Sequence, residues 1–313
     1  MPGHLTVAGV QTAPRTIGAD LAPFAADVAR HAADGAQLVV YPELHLFGAD
    51  QLPEHERTHA LEASAVPLDG ELVRRLGTIA ADAGVWLVPG SICERGPQGE
   101  LFNTALAFAP NGELAASYRK IFPWRPYEPY VPGDRFVVFG LDGSIVGLDI
   151  CYDAWFPEVS RHLAWLGAEV IVNVVKTTTP DREQEVVLAR ANSITNQVFT
   201  VSVNTAGPVG RGRSIVVDPE GAVLAESHGD GETVLAVPLD LDQVTRVREH
   251  GTAGVNRMWS QFRPGDAAIP LPLYAGRIDP ATWRVRATPS AAAPAEQSRP
   301  TPASSTPSRQ PLL

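Results

Sequence analysis

The sequence predicts an α/β fold of mixed sheets covered by helices, and three observations carry that reading. Short apolar runs rich in Val, Ile and Phe alternate along the chain with segments whose apolar residues recur at helical spacing. Three pairs of runs are separated only by Pro-Asn-Gly, Asp-Gly or Pro-Glu-Gly, which fold back as hairpins. Helix-linked strands pair in parallel and hairpins pair antiparallel, so a chain with both makes mixed sheets whose apolar faces need covering. With 44% of its 313 residues hydrophobic and 19% charged, the chain has ample material for such a core.

The elements follow in order. Residues 5–11, LTVAGVQ, form the first strand. Residues 21–36 carry apolar side chains at three- and four-residue spacing and end at Gly35, as a helix does. LVVYPE (38–43) is a buried strand. A second helix, 71–84, is closed by Gly84, and VWLVPGSI (85–92) follows as a strand. Residues 101–120 form a hairpin turning at Pro110-Asn111-Gly112, and 135–151 a second around Asp142-Gly143. FPEVSRHLAWLGA (156–168) is a helix with proline in its first turn, where no N–H is needed. Strand 169–175, helix 182–197 and strand 198–204 continue the alternation. A third hairpin, 214–227, turns at Pro219-Glu220-Gly221, and 234–249 close the pattern as strand then helix. No internal repeat and no linker divides residues 1–285, which read as one domain. Residues 286–313, mostly Pro, Ser, Ala and Thr, have too little apolar bulk to offset the entropy of ordering and read as a disordered tail.

Charge and composition exclude several classes. Twenty-five basic against 35 acidic residues leave a net charge of −10, which argues against a nucleic-acid surface. No apolar run approaches the ~18 residues that span a bilayer. The start, MPGHLTVAGVQTAP, has neither the basic nor the apolar region of a secretory leader. Two cysteines cannot frame a disulfide scaffold. The expectation is an acidic, cytoplasmic protein of enzyme size with no membrane or nucleic-acid partner.

Cys151 is the first residue that suggests chemistry. It ends the apolar strand SIVGLDI just before a helix, on a sharp strand-to-helix turn that pushes a side chain out toward substrate. The backbone N–H groups that follow are placed to hold a developing oxyanion. A free thiol has a pKa of ~8.5, so it needs a base or a neighbouring cation to attack efficiently. Cys93, inside VWLVPGSIC, lacks such a setting and reads as inert core. Glu43 follows a fully apolar strand, at the carboxyl end where open α/β sheets bind ligands. Lys120 likewise ends LAASYRK before the stiff aromatic run IFPWRPYEPYVPG. The histidines supply no evident partner for the thiol. His55-Glu56-Arg57-Thr58-His59 is a literal His-Glu-x-x-His, the zinc-peptidase pattern. Pro53 before it, Arg57 within it and the absence of an evident third ligand argue against a metal there.

Taken together, Glu43 in PEL, Lys120 after YRK and Cys151 in GLDICYDAWFPE resemble the nitrilase, or carbon–nitrogen hydrolase, superfamily. VAGVQTAP, GAQLVVYPEL, NTALAFAPNGEL, ARANSITNQ and GRSIVVDPEGAVLAES extend the resemblance over about residues 5–250. It implies an α-β-β-α sandwich and cofactor-free hydrolysis of a small amide or N-carbamoyl compound with release of ammonia. Cys151 is then the nucleophile, Glu43 the general base, and Lys120 with the backbone N–H of Tyr152 the stabiliser of the tetrahedral intermediate. Glu128, in RPYEPYVPGD, matches a second glutamate that positions substrate and Lys120. Such proteins pair as homodimers or larger homo-oligomers. Tyr152-Asp153 stand where nitrile-cleaving members carry Trp-Glu, which points to the amidase and carbamoylase branches. Ala154 and Trp155 replace two arginines that hold N-carbamoyl-D-amino acids, which argues against that substrate. Tyr152, Trp124, Trp155 and Lys176 are candidates for the substrate pocket, and Arg161 for binding a carboxylate. The alternatives are nitrile hydrolysis or acyl transfer on the same fold, and a zinc peptidase using His55 and His59.

Overall fold

The computed structural model describes residues 3–267, 269–271 and 276. Its principal compact unit ends at Phe262, and a second unit begins at Arg263. The predicted domain end at 285 and the tail 286–313 lie outside the described residues.

Two sheets form the centre of the principal unit. The first holds β1 (His4–Gln11), β2 (Leu38–Val40), β3 (Trp86–Val88), β4 (Ser91–Arg95), β5 (Leu101–Phe108), β6 (Leu114–Arg119) and β13 (Thr233–Asp240). Its order is β13-β1-β2-β3-β5-β4, with β6 paired to β5. The second runs β12-β11-β10-β9-β8-β7, from β7 (Val137–Leu141), β8 (Ser144–Ile150), β9 (Val170–Val175), β10 (Phe199–Asn204), β11 (Ile215–Val217) and β12 (Val223–Glu226). In each, a parallel centre carries antiparallel flanks: β1, β2 and β3 run together, as do β8, β9 and β10.

The two-residue period of a strand decides which layer each side chain joins. Val7, Val40, Ala105, Leu148, Val172 and Val201 face one another between the sheets in one continuous core. Ala8, Val39 and Leu87 point the other way, onto Phe24 and Val28 of α1 (Ala22–Ala33) and Leu76 and Ala80 of α3 (Glu71–Ala83). Behind the second sheet, Ile171 meets Val159 and Leu163 of α4 (Pro157–Trp165), and Ile215 and Val217 meet Val186 and Ala189 of α5 (Arg182–Asn196). The layers are therefore helix, sheet, sheet, helix, the sandwich that the sequence resemblance implies. The last strand leads into α6 (Asp242–His250).

Two sequence expectations need correction, and one helix was not expected. The run 38–43 is a strand only to Val40, after which the backbone leaves the sheet. The run 85–92 is two strands, because the chain turns at Pro89-Gly90, where Gly90 has φ +90°. A Cβ there would lie 1.9 Å from the carbonyl oxygen of Pro42, so only glycine lets this turn close on the backbone beside Glu43. Finally, Glu54–Ser64 is a helix, α2, that the apolar pattern does not announce because none of its residues is buried.

Candidate active site

Four loops leave the carboxyl ends of strands that point the same way. Glu43 follows β2 and Lys120 follows β6 in the first sheet; Cys151 follows β8 and Lys176 follows β9 in the second. Strand β6 shares the direction of β3 because both are antiparallel to β5. The inner faces of the two sheets thus bring these residues together at one end of the sandwich.

Lys120 is the hub. Its buried Nζ donates to Glu43 Oε1 at 3.0 Å and to Glu128 Oε1 at 2.8 Å. Burial alone would lower its pKa, but Glu43, Glu128 and the Cys151 sulfur more than offset this, so the ammonium is held well above its ordinary range. Glu43 is fixed on both oxygens. Oε1 also accepts from Asn103 Nδ2 at 2.7 Å, and Oε2 from the backbone N–H of Lys176 at 2.9 Å. Glu128 takes a second bond on Oε2 from the Trp124 N–H at 2.8 Å, and burial raises its pKa against the pull of Lys120.

Cys151 sits where β8 breaks into a short 3₁₀ turn, Cys151–Trp155, with φ +48°. That left-handed geometry, unusual for a residue with a side chain, makes a strained strand-to-helix turn with Cys151 at its apex. Asp153 pins the turn. One of its oxygens accepts from Tyr118 Oη at 2.7 Å and Ile150 N–H at 3.2 Å, the other from Phe122 N–H at 2.8 Å. It thereby ties the thiol's turn to the loop that follows Lys120, and burial lifts its pKa to about 6. Burial likewise pushes the Cys151 thiol well up; Glu43, Glu185 and Glu128 add to this and Lys120 opposes it. Cys93 is fully buried against Tyr130 Oη at 3.4 Å, and burial pushes its thiol up to about 12.

The remaining candidates separate. Tyr152 and Trp155 lie on the 3₁₀ turn, with ring centroids 6.1 Å apart, and Trp124 stacks at a tilt on Tyr127. Lys176 contributes its backbone, while its ammonium is paired with Asp50 at 2.7 Å. Arg161 is elsewhere: it donates to the Thr195 carbonyl at 2.7 Å and lies over Trp259. His55 and His59 are exposed on α2, and no group of three or more metal-ligating side chains lies among the described residues. Asn103, Thr177, Arg182 and Glu185 were not singled out by the sequence. Arg182 and Glu185 are one helical turn apart, but the contacts of the group with Glu43, Cys151, Trp155 and Ser202 are distant in the chain, and only the alternation of β5 hints that Asn103 faces inward.

The fold and this cluster define the class: the chain belongs to the carbon-nitrogen hydrolase family, whose model matches residues 6–249. Among curated relatives, formamidase of Pseudomonas syringae pv. tomato is 33% identical over 233 residues, 71% of this chain and 65% of that protein. The chain therefore spans just under two thirds of that relative's length. Omega-amidase NIT2 of Xenopus tropicalis is 32% identical over 69% of this chain and 80% of its own. The crystal structure of Saccharomyces cerevisiae Nit3, of branch 10 of the nitrilase superfamily, superposes with a TM-score of 0.70 at 26% identity, covering 79% of this chain and 93% of Nit3. A mutant amidase from Nesterenkonia sp. AN1, with the acetamide moiety of fluoroacetamide covalently added at its active site cysteine, superposes with a TM-score of 0.64 at 29% identity. That match covers 78% of this chain and 94% of the amidase.

Proposed function

We propose that the chain is a thiol amidohydrolase that cleaves the C–N bond of a small amide or N-carbamoyl compound and releases ammonia. One observation carries this reading: a buried lysine bridging two glutamates beside a cysteine on a strained elbow. Glu43 takes the Cys151 proton, and the sulfur attacks the carbonyl carbon. The oxyanion is met by Lys120 and the Tyr152 N–H. As the C–N bond breaks, Glu43 returns the proton to the leaving nitrogen, which departs as ammonia. Glu43 then deprotonates the water that splits the thioester. Asn103 and the Lys176 N–H keep Glu43 oriented, and Glu128 holds Lys120. Tyr152, Trp124 and Trp155 line the approach to the sulfur.

The names of the relatives favour amides over nitriles. Ammonia release from formamide, longer monoamides, N-carbamoyl compounds and nitriles, with intact mass of the enzyme, tests the reading. Acyl mass on Cys151 with amide turnover is expected. Turnover of an amide without acylation of Cys151 would overturn the mechanism, and an acyl group passed only to an added amine would make it a transferase.

The finer reading extends to assembly. Trp165 on α4 and Val187 on α5 are 74% and 65% exposed, and Leu166 beside them is half exposed. Exposed apolar side chains on both helices that flank Cys151 support a homodimer. Light scattering should give twice the chain mass, falling to the monomer in Trp165→Glu. Among the described residues no helix is long and apolar enough to cross a membrane.

A further inference from the structure

Beside the sulfur lies a polar cluster that the proposed reaction leaves unused. Thr177 Oγ1 is 3.8 Å from Cys151 Sγ. The same hydroxyl lies 2.9 and 2.7 Å from the two oxygens of Glu185. Glu185 is itself buried and held by Arg182 Nη1 at 3.0 Å and Trp155 Nε1 at 3.4 Å. Arg182, also buried, anchors on the carbonyls of Gly212 and Arg213 and on Ser202 Oγ. The Thr177 backbone is fixed by its N–H bond to Asn204 Oδ1 at 2.8 Å. Every member of the cluster is therefore held from more than one side.

A hydroxyl has one proton. An ionised Glu185, paired with Arg182, offers only acceptors, so Thr177 must donate to it. Only oxygen lone pairs then remain to face Cys151. The S–H of the thiol can donate to Thr177, whereas a thiolate finds no donor there. We propose that Thr177, oriented by Glu185, is a positioning residue that keeps Cys151 a protonated thiol in the substrate-free enzyme. Its proton leaves only when Glu43 takes it during attack.

The surroundings bear on the same balance. Among the described residues, Lys120 is the cation whose field acts most strongly on the sulfur to favour thiolate. Glu43 and Glu128 from the first sheet, and Glu185 from α5, oppose it along with burial, and Asp149 and Asp153 lie buried on β8 and the elbow. A resting thiol resists alkylation and oxidation by molecules that are not substrate, since both proceed through thiolate.

The inference rests on Cys151 being the nucleophile, but its test needs no substrate, so its failure would leave amide hydrolysis standing. In the full chain carrying Cys93→Ala, the rate at which iodoacetate, which has no amide group and keeps one charge over the range, alkylates Cys151 is followed by intact mass from about pH 6 to about pH 10. In Thr177→Val, which keeps the shape without the acceptor, the alkylation midpoint should fall. A tenfold stronger acid should react about threefold faster near neutral pH, its larger thiolate fraction being partly offset by weaker nucleophilicity. In Glu185→Gln the amide can donate to Thr177, freeing its proton for the sulfur, and the midpoint should fall as well. Thr177→Ser, with its hydroxyl retained, should keep the parent midpoint. A Thr177→Val protein that melts like the parent and shows an unchanged or raised midpoint overturns the proposal. Should that variant not fold, Glu185→Gln decides by the same criterion.

Discussion

Replacing Lys120 with methionine removes a buried cation while retaining most of the volume of its stem. The ammonium lies 3.0 Å from Glu43 and 2.8 Å from Glu128, with no exposure of the lysine side chain. Without it, the buried Glu43 carboxylate and the partly buried Glu128 carboxylate face one another across the space the ammonium filled. Breaking a buried pair by removing one partner costs about 3–5 kcal/mol. The site can limit that cost by protonating one carboxyl, because two like charges disfavour joint ionisation. A carboxyl whose folded pKa is raised above its unfolded value adds stability below the unfolded pKa, lost as pH rises through the folded one. The penalty of Lys120→Met should therefore be largest above neutral pH and shrink toward pH 5. At about 2 °C per kcal/mol for a chain of this size, the melting temperature should fall by roughly 6–10 °C near pH 8. Calorimetry at both pH values, on Lys120→Met and on Lys120→Met with Glu128→Gln, reads the effect. The second substitution should restore a substantial part of the loss by leaving a single carboxylate. Equal melting of parent and Lys120→Met at pH 8 would show that the ammonium does not bridge these groups in solution.

Other expectations follow from the same geometry. Glu43→Gln keeps the bond to Lys120 but cannot take a proton; rapid-quench mass spectrometry on a slow amide should show acylation of Cys151 slowed by ~10²–10⁴-fold. Parent-like acylation would assign the base elsewhere. Cys93→Ala should retain full turnover and lose only stability, because its thiol is sealed against Tyr130; a loss of kcat at unchanged melting would contradict this. His45 is buried with both ring nitrogens unbonded, and burial, with Arg15 second, depresses its pKa to about 3. Its share of stability is present above the unfolded pKa and is lost as pH falls toward 3, about 2 kcal/mol by pH 5. Urea titrations should find His45→Phe less acid-sensitive than the parent by that amount, and parallel pH curves would refute it. Deletion of residues 287–313 should leave melting and turnover unchanged, and a marked drop in either would show that they pack on the body.

The legible parts of this molecule are those that local pattern encodes. Val39 and Val40 alternate between two cores, Asp142-Gly143 supply the two left-handed residues of a hairpin, and Gly84 ends a helix in the left-handed region; each is a rule of spacing or turn chemistry. Glu43, Lys120 and Cys151 were legible because each ends an apolar strand and because the surrounding motifs resemble a family. Thr177 and Glu185 had no such signal. They gain meaning only when α5 returns against the elbow, and an amphipathic helix shows a polar residue the same way whether it meets solvent or a sulfur. At Lys176 it is the peptide N–H, which no sequence pattern singles out, that touches Glu43, while the ammonium pairs with Asp50. The break at Gly90 was legible in the Pro89-Gly90 turn dipeptide, which the apolar residues on both sides outweighed in the reading of 85–92 as one strand.

Glu43 and Lys120 ride on one sheet, and Cys151 rides on the other. Between the sheets lies interdigitated hydrocarbon, stapled at the site end by the Lys176–Glu43 and Tyr118–Asp153 hydrogen bonds; even at Gly9, an added Cβ would meet a Val203 methyl at 3.1 Å. The reactive distance is therefore a mechanical dimension of the whole sandwich, set by how two slabs are seated, much as the gap of a calliper is set by its slide. A misplacement of about 1 Å costs an enzyme on the order of 10²-fold in rate. Catalysis is then the most sensitive gauge of slippage between the layers, able to register a shift in the middle of the protein long before any spectroscopic sign of unfolding. The valines lining that interior, remote from any substrate, belong to the enzyme's precision as much as to its stability.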